Sequence, residues 1–264
     1  MIDIIHVITD CILISAGAGL IYGVFGGGSG MLMTPGFYYI LRHFSALSTY
    51  QMQIAIATTC AASAILGISA VKMQWQRNNI DWQVIRSIFP GIFVGTLLAV
   101  LLLNLIPSAF LKKLFSIVVI SVAFWFWFYN SEKDCRFWQL SSLKNHLFTT
   151  LIGLLWFLLG VAVFTVPYLH KCKINIHRAI GCATLTSTVF SAVAGILLAI
   201  SGMRVIGVHH GNIGFVNVLL LAFSIIPSSL CGYLSARIST KLPQKGLKKI
   251  YAVLIFTIGV LMII

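Results

Sequence analysis

The length of its apolar runs constrains this chain more than any other feature. They occupy roughly 11–41, 51–71, 87–106, 114–129, 147–169, 179–201, 215–236 and 250–264, and polar residues fall in the short breaks between them. A helix needs about 20 apolar residues to cross the ~30 Å hydrocarbon layer of a bilayer, and most of these runs are that long. Soluble domains carry about a quarter charged residues; here 9% are charged and the mean hydropathy is +1.00. A soluble enzyme with a membrane tail is excluded, because the connections are too short to fold on their own. The expected fold is all-α and polytopic, with about eight helical segments.

The net charge of +13 would suggest nucleic acid in a polar protein. Here the basic residues sit between apolar runs, so no nucleic acid is expected and they read as signals of topology in the lipid bilayer. The start, Met1 to Asp10, has no Lys or Arg and carries Asp3 and Asp10. A cleavable signal wants a positive leading region. The first segment is therefore expected to stay, with its start facing away from the cytoplasm. The six cysteines are scattered without a C-x-x-C pair, so no metal site, cofactor or disulfide framework is expected. His209-His210 is the one tempting metal pair, in a loop without nearby carboxylates.

The chain repeats itself. Ile106-Pro-Ser-Ala-Phe-Leu-Lys-Lys-Leu-Phe115 matches Leu242-Pro-Gln-Lys-Gly-Leu-Lys-Lys-Ile-Tyr251, Pro90 to Gly95 parallels Pro227 to Gly232, Ala57-Thr58 parallels Ala183-Thr184, and Pro35 parallels Pro167. The expected halves are 1–129 and 147–264, joined by a cytoplasmic linker at 130–146. The recurring Lys112-Lys113 and Lys248-Lys249 read as helix-end anchors.

Each half opens with a broken run. In the first, Gly26-Gly-Gly-Ser-Gly30 and then Thr34-Pro35 divide about 15 helical residues from about ten, and the shorter piece cannot cross the hydrocarbon. Either the opener is one bent span, or it enters to mid-depth and returns. The 18 basic residues decide: re-entry of both openers puts 14 on one side and 4 on the other, and full crossing gives 11 and 7. The positive-inside rule favours the sharper split. Re-entry also leaves three crossings per half, so the halves are inverted, as in many secondary transporters with a substrate site at mid-membrane. Both termini then face away from the cytoplasm of a bacterial inner membrane.

Gly19-Leu-Ile-Tyr-Gly-Val-Phe-Gly-Gly-Gly-Ser-Gly-Met-Leu-Met-Thr-Pro35, followed by Gln53 to Ser63, resembles the TauE/SafE family of sulfite and organosulfonate exporters, across essentially the whole chain. The resemblance implies a carrier for small, often sulfur-containing anions. The second opener, Gly160-Val-Ala-Val-Phe-Thr165-Val-Pro167, keeps Gly and Pro but lacks the triple glycine.

Physical chemistry points to an anion site separately. Thr34 reads as the N-cap of the returning half-helix with Pro35 at its first position. Such an end carries about half a positive charge and suits an anion. Gly27, Gly28 and Gly30 let an anion approach the backbone, and Ser29 adds a hydroxyl. Thr165 marks the corresponding end in the other half. Thr58, Thr59, Thr184, Thr186 and Ser187 fall near mid-span in the following helices, where their hydroxyls complete a cradle or bond back to their own helices. Arg178 and Arg42 stand at the mouths. No carboxylate lies deep in a span, which argues against a carboxylate proton relay and for uniport or protons carried by the substrate or His177.

The expected function is transport of a small anion, sulfite or a short organosulfonate, by alternating access. Two other readings stand beside it: a membrane-embedded thiol or acyl transferase using Cys60 or Cys182, and an accessory protein without a substrate. A homodimer is compatible with the sequence, which carries no signal for oligomeric state.

Overall fold

The computed structural model describes residues 4–42, 49–128, 143–159, 164–172, 174–205, 207, 211–238, 253 and 256–262. Most of the expected linker, the His209-His210 pair and Lys248-Lys249 lie outside these residues. The elements are α1 (Ile4–Phe25), α2 (Gly30–Arg42), α3 (Gln51–Gln76), α4 (Trp82–Leu105), α5 (Ser108–Phe128), α6 (Leu143–Leu159), α7 (Thr165–Lys171), α8 (Ile176–Met203), β1 (Asn212–Ile213), β2 (Val216–Asn217) and α9 (Val218–Ile238). A further helical stretch over 256–262 packs on α5 through Phe256 against Phe124. Helices α1, α3, α4, α8 and α9 are long and apolar enough to cross a membrane. The fold is all-α and polytopic, as the run lengths require.

Both openers are hairpins. Gly17 lies against Leu32 and Gly36 against Ile14, so α2 runs back along α1 in the opposite direction. In the second opener, Tyr168 hydrogen-bonds Asn145 and its ring stacks on Phe148 at 5.1 Å, which returns α7 to the first turns of α6. The lengths differ from the sequence expectation. Helix α1 has 22 residues and α2 has 13, about 33 Å and 20 Å at 1.5 Å per residue. Asp10 is an exposed residue in the first turns of α1, near the chain's start.

The direction of the α3–α8 pair shows that the second opener returns to the side it entered from. Gly67 meets Thr188 while Gly195 meets Ala61, so these two helices are antiparallel. Had the second opener crossed fully, they would be parallel. One end of the bundle therefore carries Lys72, Arg77, Arg86, Lys144, Arg178 and Arg237, and the other carries Arg42, Lys112, Lys113 and Arg204. The first is the basic end.

The halves interlock through small residues. A Cβ on Gly19 would stand 2.3 Å from the Ser228 carbonyl oxygen, and one on Gly23 would stand 2.3 Å from that of Gly232. At the second contact between the halves, a Cβ on Gly91 would meet Thr149 and one on Gly95 the Thr150 carbonyl. The repeat matches Gly91 to Ser228 and Gly95 to Gly232, so α1 on α9 is repeated by α6 on α4. Each opener is clasped by a helix of the opposite half. With no hydrophobic drive between helices in lipid, such close backbone approach is what van der Waals association requires. Gly19 and Gly23 are thus packing residues.

One element was not foreseen. Asn212–Ile213 pairs antiparallel with Val216–Asn217 across a turn at Gly214, and Asn212, Phe215 and Asn217 are buried at the end opposite the basic one. Phe215 lies 5.7 Å from Tyr50 by ring centroids, and Asn217 caps α9 by accepting from the Leu220 N–H.

Candidate functional site

The first hairpin turns on Gly26 and Gly28, whose φ values of +73° and +90° lie in the left-handed region that favours glycine. A Cβ on Gly26 would come within 2.8 Å of the Ile180 carbonyl oxygen and the Thr184 hydroxyl. Ile180 is the fifth residue of α8, so α1 passes the midplane and reaches nearly to the basic end, deeper than expected. The chain then climbs back, and α2 starts at mid-depth. There the Ser29 hydroxyl lies 2.8 Å from that of Ser63, the midpoint of α3, and both side chains are buried.

Thr34 does not cap α2. The helix begins at Gly30, and the Ser29 carbonyl accepts from the Leu32 and Met33 N–H groups, with Met31 donating to Gly28. Ser29 is the N-cap and Pro35 is internal. Gly30-Met-Leu-Met33 extends the helix backwards because Met31 and Met33 pack in the core, and that packing offsets the hydrogen bond that Pro35 removes. Several first-turn N–H groups are thus used internally, which leaves the helix end less available than the sequence reading assumed. Gly27, Gly28 and Gly30 are buried at the turn.

The hydroxyls expected in the cradle divide into two groups. Thr184 donates to the Ile180 carbonyl and Thr186 to that of Cys182, each at 2.8 Å, bonding back to their own helix. The Thr58 hydroxyl accepts the Asn217 N–H at 2.9 Å, so it anchors the β-turn. Ser187 meets the Tyr22 hydroxyl at 2.7 Å, which also meets Thr188 at 3.0 Å, and Thr188 donates to the Thr184 carbonyl at 2.7 Å. Each hydroxyl has one hydrogen. The sequence Ser187 to Tyr22 to Thr188 to carbonyl uses them all, so this network fixes α1 against α8. Tyr22 lay in the glycine motif, yet nothing in the sequence marked its partner 165 residues away.

The second group has donors to spare. Ser29 and Ser63 share one hydrogen bond between two O–H groups, which leaves one hydrogen over. The hydroxyls of Thr34, Thr59 and Thr165 are buried without a hydrogen-bond partner among the described residues. An unmade buried hydrogen bond costs about 1–3 kcal/mol, so such a group calls for an explanation. Helix register puts Thr34 level with Thr58 and Thr59, one turn from the serine pair. Thr165 opens α7 in the other hairpin.

Arg178 belongs elsewhere. It stands in the first turn of α8 at the basic end, 60% exposed, with its Nη1 3.7 Å from the Asp81 carboxylate. Among the described residues no charged side chain lies within a turn of the Ser63 level. Of the two cysteines of the enzymatic reading, Cys60 is buried in the core, and the Cys182 Sγ accepts the Asp81 N–H at 3.4 Å.

Two hairpins, each clasped by a helix of the opposite half, with buried uncharged hydroxyls near mid-depth, define a multi-pass membrane protein of the inverted-repeat transporter class. Residues 11–262 match the family described as Sulfite exporter TauE/SafE, and the chain belongs to that family of membrane transporters. It is similar to a probable membrane transporter protein of Haemophilus influenzae, 27% identical over 260 residues, covering 95% of this chain and 96% of that one. It is also 25% identical over 262 residues to one of Methanocaldococcus jannaschii, covering 93% and 91%. No solved structure matches it.

Proposed function

We propose that the chain carries a small oxyanion, sulfite or a short organosulfonate, across a bacterial inner membrane by alternating access between halves 1–129 and 147–264. The observation that carries this reading is the set of spare hydroxyl donors at mid-depth: the Ser29–Ser63 pair, Thr34, Thr59 and Thr165. In a low-dielectric interior, an oxyanion with several acceptor oxygens satisfies such donors, and charge-assisted bonds are about twice as strong as neutral ones. The uncharged surroundings favour an ion that binds weakly enough to leave. Gly27, Gly28 and Gly30 keep the backbone accessible at the turn. Thr58, Thr184 and Ser187 shape the cradle from behind through bonds they already make.

The basic end faces the cytoplasm in this reading, and both termini face away from it. The buried turn at 211–217 closes the far end over Thr58.

Reconstitution into liposomes with radiolabelled sulfite and a panel of sulfonates tests the proposal. Saturable flux for at least one anion is expected, abolished by Ser29→Leu or Gly28→Val in protein that still folds in the membrane. No saturable flux for any anion defeats the transporter reading, and full flux in both variants removes the glycine turn from the site.

A further inference from the structure

The basic end holds a cavity of about 290 Å³ lined by Arg77, Asn79, Asn175, His177 and Arg178. Its walls are firmly placed. Arg77 donates from Nη1 to the Ala236 carbonyl at 3.1 Å and from Nη2 to the Arg237 carbonyl at 3.2 Å, which fixes the guanidinium and leaves three of its five N–H donors. Asn78 turns the chain at φ +54°, and a Cβ on Gly181 would stand 2.3 Å from the Asn79 carbonyl oxygen, so the turn is seated directly on α8. Asn175 caps α8 by accepting the His177 N–H at 3.0 Å, and this 28-residue helix directs its positive end into the cavity.

Two guanidinium groups line the cavity, and the carboxylate beside it is that of Asp81, which approaches Arg178. Asp81 is already engaged, since its Oδ1 accepts from the Gln83 and Val84 N–H groups as the cap of α4, and Oδ2 reaches Arg178 only at 3.7 Å. An exposed pair at that distance is weak. On α8, the next turns above Arg178 carry Ile180 and Thr184, against which the glycine turn lies.

We infer that this cavity is a second anion station, a vestibule for small oxyanions at the basic end, in which Asp81 stands in as a built-in counter-ion for Arg178 until the anion displaces it. The choice of ligand rests on the reading of the chain as an anion carrier. The device has an unusual signature, because the two partners of one ion pair act in opposite senses. Removing Arg178 removes a donor, whereas removing the Asp81 charge removes a competitor.

Calorimetric titration of sulfite and of methanesulfonate into the purified full chain at low salt tests this. Arg178→Gln is expected to weaken binding about fivefold or more. Asp81→Asn, which still caps α4, is expected to tighten it about two- to fivefold, the range an exposed ion pair can supply. Asp81→Ser, another capping residue, repeats the test if the first variant folds poorly. Weaker binding in both folded Asp81 variants overturns the inference, as does unchanged binding in Arg178→Gln. Liposome flux separates the two readings. Absence of saturable flux beside these opposite binding shifts defeats the carrier and leaves the vestibule standing. Saturable flux whose KM from the basic end is the same in wild type, Arg178→Gln and Asp81→Asn defeats the vestibule and leaves the carrier standing.

Discussion

The Ser29–Ser63 pair can separate a structural role from a binding one. The two hydroxyls lie 2.8 Å apart, and the side chains are 2% and 5% exposed. Replacing either serine by alanine leaves the other hydroxyl buried without its partner, which costs about 1–3 kcal/mol; replacing both removes the polar groups together and costs about 0–1 kcal/mol. Thermal melts in detergent of wild type, Ser29→Ala, Ser63→Ala and the double variant should therefore show the double variant as more stable than either single one. Flux should behave differently. A hydrogen bond to a charged group contributes about 1.5–3 kcal/mol, or about 10- to 150-fold in flux at low substrate concentration. All three variants should lose at least about tenfold, including the one whose stability returns. If the double variant regains wild-type flux along with stability, the serines only hold α2 to α3 and the argument from spare donors fails.

Four further outcomes follow from the packing and the topology. Gly26→Ala adds left-handed strain of about 1–2 kcal/mol and an overpacked contact of about 1–3 kcal/mol at Ile180 and Thr184, so its melt should fall by about 2–5 kcal/mol with loss of flux. Gly23→Ala, whose Cβ would stand 2.3 Å from the Gly232 carbonyl, should destabilise by about 1–3 kcal/mol. Gly195→Ala, with its nearest neighbour at 3.3 Å, should melt within about 1 kcal/mol of wild type. Single cysteines at His6 and Arg42 should react with an impermeant maleimide from one side of the membrane, and one at Gln76 from the other. Labelling of positions 6 and 42 from opposite sides would refute the hairpin.

The hairpin plan could be read from the sequence because it rests on composition along the chain. Glycine density at Gly26–Gly30, the short piece beyond it and the one-sided basic residues all survive without knowledge of which helix touches which. Boundaries were less readable. Thr34-Pro35 has the chemistry of a helix start, yet the buried Met31 and Met33 carry α2 back to Gly30, so tertiary burial overrode local capping. Helix α1 begins before the apolar run because His6 and Asp10 sit on an exposed face at its end.

Within the site, residue types were foreseen and partners were not. Thr58, Thr184 and Ser187 are where hydroxyls were expected, but their bonds to Asn217, Ile180 and Tyr22 depend on register between helices, which periodicity does not encode. Arg178 was placed at a mouth, yet its partner Asp81 lies 97 residues earlier in the chain. The 211–217 turn was signalled by Gly211, Gly214 and its two asparagines, a pattern of turn chemistry that the apolar runs on either side obscured.

Counterflow tests the central claim most directly. Liposomes holding the protein and preloaded with unlabelled sulfite are diluted into a trace of labelled sulfite, with no other gradient. Alternating access predicts saturable uptake of label, accelerated by the preloaded anion and lost in the Ser29→Ala/Ser63→Ala double variant. Uptake that fails to saturate, or that the preloaded anion does not accelerate, would contradict it.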